Sequence, residues 1–319
     1  MSRLPFVSLL AALASSACVP DFDDETSRIT SPRVLAIRAF PAEASKNQKV
    51  ELTALIATPD GAEPEAPAWS LCLDRKPLSE LGPLSPRCLA SPEPEPEIAQ
   101  ALGEGSQVTA TLPSKVCQLF GPERPDPKAG EPSGRPVDPD PTGGFYQPVL
   151  SFLAGSATLG AIRLDCPLSG ATREATVEYN ERHRVNQNPE LAAFELLRGD
   201  GSSAGLDSDD LPSLARGERV TLRARFGDCA DAETCLGAER YLVYDRETER
   251  LEERTETLVV SWFSSAGELD EARSDGGRGE PAASNGFTVP NQPGEVRLWA
   301  VVRDDRGGVS WRAGRLRVD

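Results

Sequence analysis

Residues 294–304 read Gly-Glu-Val-Arg-Leu-Trp-Ala-Val-Val-Arg-Asp, and their hydrophobic period is two. Val296, Leu298, Ala300 and Val302 share one face, while Arg297, Trp299, Val301 and Arg303 share the other. A strand with one uniformly apolar face belongs in an antiparallel sheet packed on a core. Asp304-Asp305-Arg306-Gly307-Gly308 supplies turn chemistry, and residues 309–318 return as the partner strand. Trp299 lies opposite the core face, so it is the candidate contact surface, with packing of both sheet faces on cores as the equal alternative.

The same signature extends upstream. Residues 257–264 (TLVVSWFS), 219–226 (RVTLRARF), 50–58 (VELTALIAT) and 34–39 (VLAIRA) all read as strands. Val50-Glu-Leu-Thr-Ala-Leu is echoed by Val220-Thr-Leu-Arg-Ala-Arg. Each copy follows an apolar strand and precedes a strand carrying a tryptophan, Trp69 or Trp262. Both tryptophans sit among apolar neighbours and are expected in the cores. Such an echo implies two related domains, and its order fits immunoglobulin-like sandwiches. The second copy carries an insertion over residues 227–256.

The expected fold is mainly β: two immunoglobulin-like antiparallel β-sandwich domains in tandem, residues 33–184 and 185–319. One short helix is expected near the junction, within residues 169–183. Ala171, Ala175 and Tyr179 are spaced for one face, with acidic residues early and Arg182 late, as the helix dipole favours. Asn186-Gln-Asn-Pro189 breaks it. The proline-rich stretch 121–144 is expected as a long solvated loop of the first domain.

The chain has 319 residues, 50 acidic against 34 basic, and a net charge of −16. That balance excludes a broad electrostatic hold on nucleic acid. A single histidine excludes multi-histidine metal sites and most histidine acid–base chemistry. His183 itself lies between Arg182 and Arg184 with no carboxylate orienter in view, and reads as a solvated helix-end residue. Nothing matches a nucleophile elbow or a phosphate loop. The many carboxylates leave paired-acid glycan chemistry as the alternative enzymatic reading. Asp138, Asp140, Asp207, Asp210, Asp304 and Asp305 offer hard oxygens in loops, so calcium is kept as a candidate structural ion. No other metal or cofactor is expected.

Residues 1–17 have a positive Arg3, an apolar run too short to span a bilayer, and a small-residue cleavage zone ending at Ala17. They read as a signal peptide. Seven cysteines is an odd number. Removing Cys18 as a lipid carrier leaves Cys72, Cys88, Cys117, Cys166, Cys229 and Cys235 to pair in an oxidising compartment. The domain boundary favours neighbour pairing among these six without deciding it. Residues 18–32 read as a lipid anchor and a flexible acidic tether.

Three stretches together resemble uncharacterised cell-envelope lipoproteins of the myxobacterial type: the lipobox-like start, residues 31–61, and residues 260–274 with 289–311. The last of these is also similar to the end of bacterial immunoglobulin-like or polycystic-kidney-disease-like repeats. The resemblance implies an exported, lipid-anchored envelope protein and carries over no catalytic residues. Val19 after the anchor cysteine, by resemblance to enteric sorting rules, favours the outer membrane. The expected role is non-enzymatic: binding, adhesion or scaffolding toward a protein or glycan partner. The alternative is a secreted enzyme or an enzyme accessory subunit using acidic residues.

Overall fold

The computed structural model describes residues 26–76, 84–90, 95–127, 134–227, 237–276 and 280–319. Cys18, Cys229 and Cys235, and with them the expected signal peptide, the expected lipidation site and one favoured pairing, lie outside the described residues.

The first sandwich comprises β1 (Arg33–Phe40), β2 (Glu43–Ala44), β3 (Lys49–Ala57), β4 (Ala68–Cys72), β5 (Ala99–Glu104), β6 (Gln107–Thr111), β7 (Tyr146–Leu153) and β8 (Ser156–Leu164). Its two sheets have the orders β1-β3-β6 and β2-β8-β7-β4-β5. The second comprises β9 (Leu191–Leu197), β10 (Ser203–Gly205), β11 (Ser213–Leu214), β12 (Arg219–Phe226), β13 (Arg240–Asp245), β14 (Arg250–Thr255), β15 (Val259–Ser264), β16 (Glu268–Leu269), β17 (Arg273–Asp275), β18 (Ala282–Thr288), β19 (Gly294–Arg303) and β20 (Val309–Val318). Its sheets run β10-β9-β12-β18-β16 and β11-β20-β19-β15-β17.

The two strand orders correspond, β1-β3-β6 to β9-β12-β18 and β2-β8-β7-β4-β5 to β11-β20-β19-β15-β17, with β10 and β16 added at the edges of the second. In each, a two-residue strand pairs in parallel with the last strand, β2 with β8 and β11 with β20. The echoed segments are the equivalent strands β3 and β12, and the tryptophan strands are β4 and β15. Trp69 and Trp262 fill the two cores and donate their indole N–H to Gly105 O and Ser274 Oγ, both at 2.7 Å. A buried indole needs such an acceptor to offset the water it loses. The insertion in the second copy forms the β13–β14 hairpin.

Two short helices accompany the strands, α1 (Val116–Leu119) and α2 (Arg173–Arg182). Thr172 caps α2 by accepting from Ala175 N, with Glu174 in the first turn and Arg182 in the last. Among the described residues two disulfides form, Cys72–Cys88 and Cys117–Cys166, closing 16 and 49 positions. On chain entropy these loops stabilise by about 3 and about 4 kcal/mol.

The sandwiches pack side by side. A bulge between Val34 and Ala36 breaks the alternation of β1. Val34, Ile37 and Ala39 therefore enter the first core, while Leu35 and Ala36 face the other domain. There they meet Trp299, Val301 and Val309, with Leu55, Ala57 and Ile29 completing the cluster. This corrects the expectation for Trp299. Its side chain is buried because β1 and β3 cover it, so the contact it makes is within the chain. Arg38 stacks on Trp311 at 4.7 Å, and Arg303 donates to Leu35 O at 2.9 Å across the same seam.

Two segments expected to be solvated are also tied down. Ser27 and Ile29, at the end of the expected tether, are buried, and Ile29 N donates to Ser264 O at 2.8 Å. The described part of the proline-rich loop buries Thr142, and Arg254 of β14 donates to Pro141 O at 3.0 Å.

Candidate functional site: a buried charge junction

Proline and turn chemistry at residues 41–48 bring Glu43 back as the short strand β2, edge-on to β8. Its carboxylate is sealed between the sandwiches, where an unpaired charge would cost several kcal/mol. Four groups answer it. Asn186 N donates at 2.7 Å and Arg306 Nη2 at 3.3 Å, both to Oε2. Arg163 Nε lies 3.5 Å from the same oxygen, and His183 Nε2 lies 3.3 Å from Oε1.

Each arginine is held in turn. Arg163, on β8, donates to Thr142 Oγ1 at 2.8 Å and to Tyr146 OH at 2.9 Å. Arg306 projects from the β19–β20 turn, which Asp304 braces by accepting from Arg306 N and Gly308 N at 2.9 and 2.7 Å. Its guanidinium is 1% exposed, donates to Glu256 Oε1 at 3.2 Å and to Arg184 O at 3.0 Å, and lies over the Tyr241 ring. Glu239 stands 3.7 Å away. A bidentate donor that cannot lose its proton suits such a place.

Two guanidiniums thus face three carboxyls, Glu43, Glu239 and Glu256, with Asp304 held behind them on the backbone of the turn. Burial and the Asp304 charge push Glu256 up to about 8. Burial pushes Asp304 up to about 6, against the two backbone N–H donors of its turn. Burial also raises Glu43, but the His183 contact and the Arg163 charge outweigh it and leave the carboxyl below its ordinary value. Burial pushes the Tyr179 phenol up to about 12.

His183 departs from its sequence reading. It is largely buried, stacks on Tyr179 with ring centroids 4.6 Å apart, and does have a carboxylate partner. That partner lies 140 positions upstream, where no local pattern could reveal it. Glu43, His183 and Asp165 each bring one ligand atom within 4.8 Å of the others. Arg163 and Arg306 already supply the positive charge Glu43 requires; Asn186 N and Arg306 hydrogen-bond its carboxylate, while Arg163 and His183 stand beside it as charge and ring neighbours. The adjoining cavity, about 30 Å³ beside Glu43, Arg163 and Tyr179, has room for a water and none for a substrate.

Asp140, Asp304 and Asp305 lie near enough to feel one another's charge, but the described contacts of the calcium candidates are to protein donors. Asp140 Oδ1 accepts from Thr142 N, Thr142 Oγ1 and Gly144 N; Asp138 pairs with Arg135 and Arg246; Asp207 pairs with Arg312. Asp304 does the turn work described above.

No family model matches the chain, and no curated protein matches it in sequence. Solved structures similar to it include the D00-D0 domain of intimin, at 9% identity and a TM-score of 0.22, covering 91% of this chain and 98% of that one. The fibronectin(III)-like modules of Clostridium thermocellum CbhA match at 7% identity and a TM-score of 0.21, covering 89% of this chain and 93% of that one. E. coli alpha-2-macroglobulin matches at 11% identity and a TM-score of 0.23, over 93% of this chain and 17% of that one. Likenesses this distant carry no argument about function, and the two-sandwich architecture rests on the strand order itself.

Proposed function

We propose that the chain is an exported, lipid-anchored cell-envelope protein of the outer membrane, and that it binds, adheres or scaffolds rather than catalyses. Its partner would be a protein or a glycan. The observation that carries this reading is how the converging carboxylates are used. A glycan-cleaving acid needs a raised pKa and an open path to substrate. Glu256 has the raised pKa but is 1% exposed beneath Arg306, and Glu43 is shifted the opposite way. The acids that could do chemistry instead fix one sandwich against the other. Two disulfides support an oxidising compartment, and the odd cysteine, Cys18, supports the anchor.

Fractionation tests it. The wild-type protein is expected in the membrane fraction and the Cys18→Ser variant in the soluble one. A Cys18→Ser protein that remains membrane-bound through detergent-free washes sinks the anchor reading.

A further inference from the structure

The two sandwiches lie side by side with their strands running between the same two ends, and those ends are unlike. At one end, Ile29 N bonds Ser264 O and Arg28 donates to Gly267 O at 2.7 Å, so the N-terminal segment enters the fold at the last residues of β15. The same end carries the turn around Gly217, bonded to Val289, and the residue 290–293 turn leading into β19. In the first sandwich it carries the residue 58–62 turn, whose Gly61 lies against the Arg297 guanidinium, and the β7–β8 turn. The β7–β8, β11–β12 and β18–β19 connections are short, and the β3–β4 connection runs over residues 58–67.

Among the described residues, the disulfides, the helices and the inserted hairpin sit at the opposite end, whereas the plain end gains only the short edge strands β10 and β16. Both disulfides are there, after β4 and after β6 and β8, with α1, α2, the described proline-rich loop and the β13–β14 hairpin. The charge junction locks that end. Phe40, 67% exposed, stands there too.

We infer that the plain end, where residues 26–29 dock, is the lipid-facing end, and that the stapled end is presented away from the membrane. The inference rests on the lipid anchor at Cys18. Seven residues lie between Cys18 and Thr26, and eight residue steps reach at most about 29 Å. The ten residues of β19 alone make the sandwich roughly 33 Å tall. The anchor therefore holds the docking end close to the headgroups, with the opposite end a strand's length farther out.

The test uses the full, lipidated chain in phosphatidylcholine vesicles containing a headgroup-labelled acceptor lipid. A fluorescent amino acid is incorporated at the exposed position 292 or at the exposed hairpin position 248. Flotation with the vesicles, lost in Cys18→Ser, together with energy transfer several-fold stronger from 292 than from 248, is the expected result. Flotation with equal transfer, or with stronger transfer from 248, overturns the orientation and leaves the anchor standing. Failure of the unsubstituted protein to float, or flotation of Cys18→Ser, overturns the anchor and the orientation with it.

Discussion

Arg306 of the second sandwich reaches Glu43 of the first across 263 positions of sequence, Nη2 to Oε2 at 3.3 Å, with neither side chain more than 3% exposed. The pair crosses the domain seam, and the same guanidinium also answers Glu256. One cation thus joins the β19–β20 turn, the base of the β13–β14 hairpin and the edge strand β2. Buried pairs of this kind add little net stability over apolar substitutes, yet losing one partner is costly because the other charge stays buried.

Arg306→Ala is accordingly expected to destabilise the protein by about 3–5 kcal/mol in denaturant unfolding. Arg306→Ala combined with Glu43→Gln and Glu256→Gln should recover part of that loss, since Glu43, the carboxyl held ionised against Arg306, is then neutral, and Glu256, which keeps its proton up to about 8, is replaced by a neutral isostere. If the triple variant is less stable than the single by the sum of the separate losses, the three side chains are not one network.

The raised carboxyls give stability a defined pH dependence. Glu256 holds a proton in the folded protein up to about 8, whereas the unfolded chain releases it near its ordinary value of 4.5. Its contribution is complete below 4.5 and is lost as pH rises through about 8; Asp304 adds the same sign up to about 6. Glu43 works in reverse, and its contribution is lost as pH falls through its lowered value. Stability should therefore peak in mildly acidic solution and decline by on the order of 2–4 kcal/mol toward pH 8. Glu256→Gln should flatten that decline. Melting curves between pH 4 and 9 on both proteins check it, and an unchanged slope in the variant assigns the titration elsewhere.

The sandwiches were legible because half-buried strands print their period on the sequence, and because Trp69 and Trp262 mark equivalent strands. The α2 helix was legible from the spacing of Ala175 and Tyr179 and from its charge order, while its Thr172 cap emerges only in the structure. The junction was not. Glu43, Arg163, His183, Glu256 and Arg306 come from five separated segments, and each looks locally like a solvent-facing polar residue. Their burial is created by docking one domain on the other, which no local period encodes. A signal of that docking was present in β19, where Trp299 and Val301 make the second face apolar too. A strand with two apolar faces is covered on both sides. In β1 the bulge hid the same message, because a one-residue shift exchanges the faces.

Trp299 separates the interface from the cores it joins. Its cluster contains Leu35, Ala36, Leu55, Ala57, Val301 and Val309, and shares none of these with the two sandwich cores. Trp299→Ala should therefore loosen the seam while leaving each core filled. Calorimetry is expected to split one unfolding transition into two, and X-ray scattering to show a larger radius of gyration. Trp262→Ala is the control. It empties the second core and should cost about 3–5 kcal/mol, lowering the transition of that sandwich without freeing the first. If Trp299→Ala instead melts in one transition with an unchanged radius, the apolar seam does not hold the domains, and the charge junction of Glu43 and Arg306 suffices by itself.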